Sequence, residues 1–213
     1  MRTATRRMIS TFGALTGLAG VEHGLGEVLQ GRRTPEGIFI QSWPESEFFR
    51  FLSGEPAMSL LPDMLLTGVL AILFSLAYLS CAIWFVQRKK AGLVLMLLAV
   101  AMLLAGGGIF PPIFGLLIGF TATRLHAPLD GWRERLSPGL AERLGRLWPW
   151  AFGASLLAWL SMFPGVPMLS YFLSVESVAL VLVLLVSMFG FLFVAVIAAL
   201  ASDLQAQSFA SFS

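Results

Sequence analysis

Glu22, His23 and Glu27 put two carboxyls and an imidazole within one short stretch that is otherwise small or apolar. Those groups can hold a cation or pass a proton. An imidazole titrates near neutrality and a neighbouring carboxylate moves its pKa. Ionisable side chains are expensive at membrane depth, so a cluster there marks a binding or proton-handling site. His23 and Glu27 are four residues apart and share one side of a helix. Glu22 turns the other way, towards Leu15, Leu18 and Leu29, and needs either a second partner helix or a proton. Asp63 and Glu176 open later apolar runs. The expected cation site is therefore Glu27, His23, Glu22, Asp63 and Glu176, lined by Thr16, Gln30, Thr67, Gly107 and Pro111. For Asp63 and Glu176 there is a structural alternative, because carboxylates at helix N-termini are favoured by the helix dipole.

Other chemistries lack their parts. No His-Glu-x-x-His string is present for a metalloprotease. A di-metal bundle wants Glu-x-x-His from two helices, and only one span carries a histidine. Haem between helices normally takes two axial ligands at matching depth, but His23 and His126 fall at opposite ends. Ser155 with His126 is too weak a pair for an intramembrane protease. No phosphate-binding loop appears, so no cofactor is expected and no complete catalytic constellation is visible. A net charge of +2 gives no reason to expect a nucleic-acid partner.

The elements that must position these groups are membrane helices. Of 213 residues, 57% are hydrophobic and 12% charged, against about 25% charged in soluble domains. Mean hydropathy is +0.84. A bilayer core takes about 20 apolar residues per helix, and the runs predict six spans near 8–30, 60–86, 91–107, 110–125, 147–163 and 176–201. The expectation is one all-α domain over residues 1–213, a six-helix transmembrane bundle with short amphipathic interfacial helices. With the N-terminus inside, basic residues Arg2, Arg6, Arg7, Arg88, Lys89, Lys90, Arg124, Arg133, Arg135, Arg143 and Arg146 are cytoplasmic. Only Arg32, Arg33 and Arg50 lie outside, as the positive-inside rule requires. Both termini are then cytoplasmic. Arg outnumbers Lys twelve to two, a composition that suits a GC-rich prokaryotic genome and hence an inner membrane.

Gly13, Gly17, Gly20 and Gly24 form a stripe of small residues along the first span, a helix-packing seam. Asp63, Thr67, Ala71, Ser75, Tyr78 and Ala82 form the matching face of the second. Glu176, Ser187, Gly190 and Ala198 do so in the sixth. Ser42-Trp43-Pro44-Glu45 has capping-box spacing and predicts an amphipathic outer helix through Phe48, Phe49 and Phe51. Ser137-Pro138 predicts an inner one through Leu140, Leu144 and Leu147. The Gly106–Pro112 turn is expected to floor an outward-facing acidic cavity, with the 43–52 segment as its lid. In size and span count the chain resembles the membrane-embedded substrate-binding subunits of energy-coupling-factor vitamin transporters. That likeness is architectural and carries over no binding residue. Two functions follow as expectations. One is binding or transport of a cation, proton or small cationic solute. The other is a scaffold or accessory subunit, homo-oligomeric or joined to a partner membrane subunit, with the glycine seam as its interface.

Overall fold

A computed structural model describes residues 3–127, 131 and 136–210. Arg2, Arg133 and Arg135, used in the charge count, lie outside the described residues. The chain is 75% helical. Its helices are α1 (Thr3–Val28), α2 (Met64–Ser80), α3 (Ala91–Leu104), α4 (Phe110–Thr123), α5 (Pro138–Leu160), α6 (Val166–Leu173) and α7 (Val178–Ala210). A π-turn over Cys81–Phe85 prolongs α2, and another over Ser161–Gly165 joins α5 to α6. Three helical stretches are long and apolar enough to cross a membrane: Met64–Phe85, Gly139–Leu173 and Val178–Gln207. Helices α3 and α4 are apolar but only 14 residues each.

Packing follows the small residues. Helix α1 lies along α2, α3 along α4, and α5 along α7, while α4 and α7 also touch α1. The glycine seam of α1 is filled by α2 of the same chain. A Cβ at Gly13 would lie 2.5 Å from that of Ala82, one at Gly17 2.8 Å from that of Leu79, and one at Gly24 2.8 Å from the Gly68 carbonyl. From the α2 side, Thr67, Ala71, Ser75, Tyr78 and Ala82 are all buried, and the Tyr78 hydroxyl donates to the Gly115 carbonyl at 2.9 Å. Phe12, Phe114, Phe152, Trp159 and Phe189 join α1 and α4 to α5 and α7. Phe114 meets Trp159 edge-on at 4.6 Å and Phe12 meets Phe152 at 5.5 Å, the geometry that aromatic quadrupoles favour.

Several expectations are corrected. The fold is not wholly α, because Phe39–Ser42 (β1) and Glu55–Met58 (β2) form an antiparallel pair. The amphipathic outer helix is instead a kinked 3-10 turn, Glu47–Leu52, enclosed between those strands. Ser42 does not cap it, since Ser42 ends β1 and its hydroxyl is used elsewhere. The inner amphipathic segment is no separate helix. It is the first turns of α5, capped by Ser137 accepting from the Leu140 N–H at 3.4 Å. In α7 the buried residues are Met188, Leu192, Ala195, Ala198 and Ala199; of the expected face, Ala198 is buried and Ser187 half-buried, while Gly190 is exposed with open space around it and Glu176 precedes the helix. Spacing alone does not say which face of so uniformly apolar a helix finds a neighbour.

At the far end of the bundle, buried Asp203 of α7 accepts from the backbone N–H groups of Ala4 and Thr5, at 3.0 and 2.9 Å. It satisfies donors that the first turn of any helix leaves unpaired. Asp203→Ala should cost about 1–2 kcal/mol. A thermal melt would show this as a loss of several degrees, and a melt unchanged from wild type would contradict the capping role.

Candidate functional site

The β1–β2 register builds the site. Ser42 pairs with Glu55 and Ile40 with Ala57, and alternation along the strands turns Ile40, Ser42, Glu55 and Ala57 inward. The hairpin sits over the end of α1, so Ser42 meets Glu27 and Glu55 meets His23. The Ser42 hydroxyl donates to Glu27 Oε1 at 3.1 Å. Trp43 lies against Gly26, and its indole N–H donates to the Glu22 carbonyl at 3.2 Å. Arg50 latches the connecting turn to α6 and α7 by donating to the Ser170 carbonyl and pairing with Glu176.

The floor is the α3–α4 turn. Ala105 forms a bridge with Ser59, and the Leu60 N–H donates to the Leu104 carbonyl. Gly106 and Gly108 both have φ in the left-handed region, +93° and +85°. Each also faces an ionisable group. A Cβ at Gly106 would strike the Glu27 carboxyl, and one at Gly108 would lie 2.7 Å from His23 Nε2.

Glu22, His23 and Glu55 form the chemical centre. Their ligating atoms all lie within 4.8 Å of one another. His23 Nδ1 is 3.0 Å from Glu22 Oε2, 3.4 Å from Glu55 Oε2 and 3.0 Å from the Ala19 carbonyl. Facing three acceptors, Nδ1 carries a hydrogen and can satisfy one or two of them. Glu22 Oε1 and Glu55 Oε2 remain buried without a hydrogen bond; the 3.4 Å approach of Nδ1 to the latter is an ion-pair contact only. Burial pushes the Glu55 carboxyl up to about 8. The His23 ring opposes that rise, while the Glu22 carboxylate adds to it. Glu27 is wholly buried, with Ser42 as partner for Oε1 and none for Oε2.

The expected site residues thus separate. Glu22, His23 and Glu27 stand together at the hairpin, although His23 turns to Glu22 and Glu55 rather than to Glu27. Asp63 lies apart: its carboxylate caps α2, accepting from the Leu66 N–H at 2.9 Å. Glu176 is half-exposed on its ion pair with Arg50, 3.3 Å away. Thr67 stands beside Gly106 and shares a 2.9 Å hydrogen bond with Ser59. Gln30 donates to the carbonyls of Gly26 and Gln41. Thr16 is buried against Gly115, Gly107 donates to the Met102 carbonyl, and Pro111 is buried in the first turn of α4. Glu55 and the site role of Ser42 are new. The signal for Glu55 was an alternation, Glu55, Ala57 and Ser59 on one face, bounded by Gly54.

A cavity of about 350 Å³ adjoins the cluster, with Glu22 and Glu55 on its wall beside Leu18, Phe49, Trp159 and Leu160. A metal ion could use one oxygen from each carboxyl with His23, but bonding to Nδ1 would displace the hydrogen held against the Ala19 carbonyl. Comparison with known protein families, characterised proteins and solved structures finds no match to this chain.

Proposed function

We propose that this chain is a multi-pass membrane protein that binds a positively charged ligand at Glu22, His23 and Glu55, with Glu27 as a buried carboxyl behind them. The observation that carries the reading is the convergence of two carboxyl oxygens and an imidazole nitrogen within 4.8 Å. A positively charged ligand that displaces the Glu55 proton would be held by both carboxylates. The wider frame is one membrane domain of six spans in a prokaryotic inner membrane. In it α1, α3 and α4 complete the three long apolar stretches, both termini are cytoplasmic, and the hairpin faces outward. The alternative is a non-catalytic scaffold or an accessory subunit of a larger membrane complex; its interface would lie elsewhere than the glycine seam, which α2 fills.

The test is thermal unfolding of the purified protein in detergent with sodium, calcium, zinc, methylammonium and tetramethylammonium ions. At least one should raise Tm in a saturable way, and Glu22→Gln with Glu55→Gln should remove the rise. Indifference of the wild-type protein to every cation overturns the proposal.

A further inference from the structure

The cavity wall differs in character from the cluster that ends it. Away from Glu22 and Glu55 it is formed by aliphatic and aromatic side chains, among them Leu15, Leu18, Trp159 and Leu160. Its volume, about 350 Å³, is at the lower end of the range for small-molecule pockets, about 300–1,000 Å³. Leu18 and Leu160, from α1 and α5, are 55% and 45% exposed. These two leucines give the cavity an exposed apolar rim on the flank of the bundle. A strongly hydrated ion gains nothing from such a wall; a ligand with a hydrocarbon body does.

The hydrogen-bond inventory at the closed end says what the ligand's head must be. Glu22 Oε1 and Glu55 Oε2 are buried acceptors with no donor, and the Glu55 side chain is only 5% exposed. Buried acceptors without donors are costly. Among cations, a primary ammonium brings three N–H donors in place of the Glu55 proton that it displaces and leaves the His23–Ala19 contact intact, whereas a metal at Nδ1 would break it. Phe49 and Trp159 on the wall also suit a cationic head followed by an apolar body.

We infer that the ligand is a lipophilic primary amine, its ammonium between Glu22 and Glu55 and its hydrocarbon body in the cavity between α1 and α5. This rests on the cation-site reading above and names the class of cation.

Thermal unfolding in lipid nanodiscs tests it, with decylamine, decanol, methylammonium and zinc ions as probes. Decylamine at a hundredfold excess over Kd should raise Tm saturably by about 5 °C or more. Decanol should not, and the rise should vanish in Glu22→Gln and Glu55→Gln. Leu160→Trp, at a half-exposed rim position, should fold, weaken the decylamine response at least tenfold in concentration, and leave any small-cation response in place. If zinc or methylammonium stabilises the protein but decylamine does not, the inference falls and the cation site stands. If no cation shifts Tm, both fall. Equal shifts with decanol, or a decylamine response unchanged in Leu160→Trp, mean simple partitioning and overturn the inference.

Discussion

Gly106→Ala should lower stability by about 2–4 kcal/mol, since a Cβ at positive φ costs about 1–2 kcal/mol and overpacking about 1–3. Both terms apply here. The backbone is left-handed at +93°, and the new methyl would collide with the Glu27 carboxyl and come 2.5 Å from Thr67 Cγ2. Neither neighbour can retreat, because Glu27 and Thr67 are fully buried. For a chain of this size, such a loss is a Tm drop of about 5–15 °C. Gly108→Ala should behave similarly and should also push the His23 ring off Glu22 and Glu55, weakening the response to cations. Gly153, helical with open space around it, is the control. Gly153→Ala should be neutral or gain up to about 1 kcal/mol. A Gly106→Ala protein that melts within a degree of wild type would refute the described packing of the turn against α1.

Stability should fall as pH rises from about 5 to 8. The folded chain holds the Glu55 proton up to about 8, whereas an unfolded glutamate releases it near the ordinary 4.5. Between those values the folded state binds more protons than the unfolded one. The Glu55 contribution is thus fully present below about 4.5 and is lost as pH climbs through 8, by at most about 1.4 kcal/mol per pH unit. Glu22 and His23 face Glu55 directly, so the decisive comparison is with Glu55→Gln, which keeps the shape and cannot ionise. Chemical denaturation at a series of pH values should show a negative slope in wild type and a flatter one in the variant. An identical slope in both would remove Glu55 as its source.

The helix-to-helix part of this architecture was legible in the sequence because its signal is periodic. Gly13, Gly17, Gly20 and Gly24 recur at helical spacing, and so do the buried residues of α2 from Thr67 to Ala82. Both faces were therefore identified, though not that they meet each other. The ionisable group on α1 was legible because charge is conspicuous in an apolar run. The hairpin was not. Its strands are four residues long, β2 contains Pro56, and the connecting turn carries a capping-box string that spacing cannot tell from a helix start. Glu55 consequently read as an ordinary loop carboxyl. Asp63 and Glu176 read as site members because they occupy the same end of the bundle, but a shared end is not a shared site. Local partners, the Leu66 N–H and Arg50, had already claimed them.

The same hairpin has a consequence for how the protein enters its membrane. Helix α1 leaves the ribosome before the hairpin, carrying Glu22, His23 and Glu27 ahead of Ser42 and Glu55. Ionisable groups oppose the insertion of a helix, most at its centre and less towards its ends, and α1 is not among the stretches long and apolar enough to cross a membrane. Glu27 gains Ser42, and His23 gains Glu55, only when the hairpin folds back. On the six-span reading proposed above, the first helix depends for its insertion on residues made about thirty positions later. Truncation between residues 30 and 55 should strand α1 at the bilayer surface, where an attached glycosylation or protease reporter would register its failure to integrate.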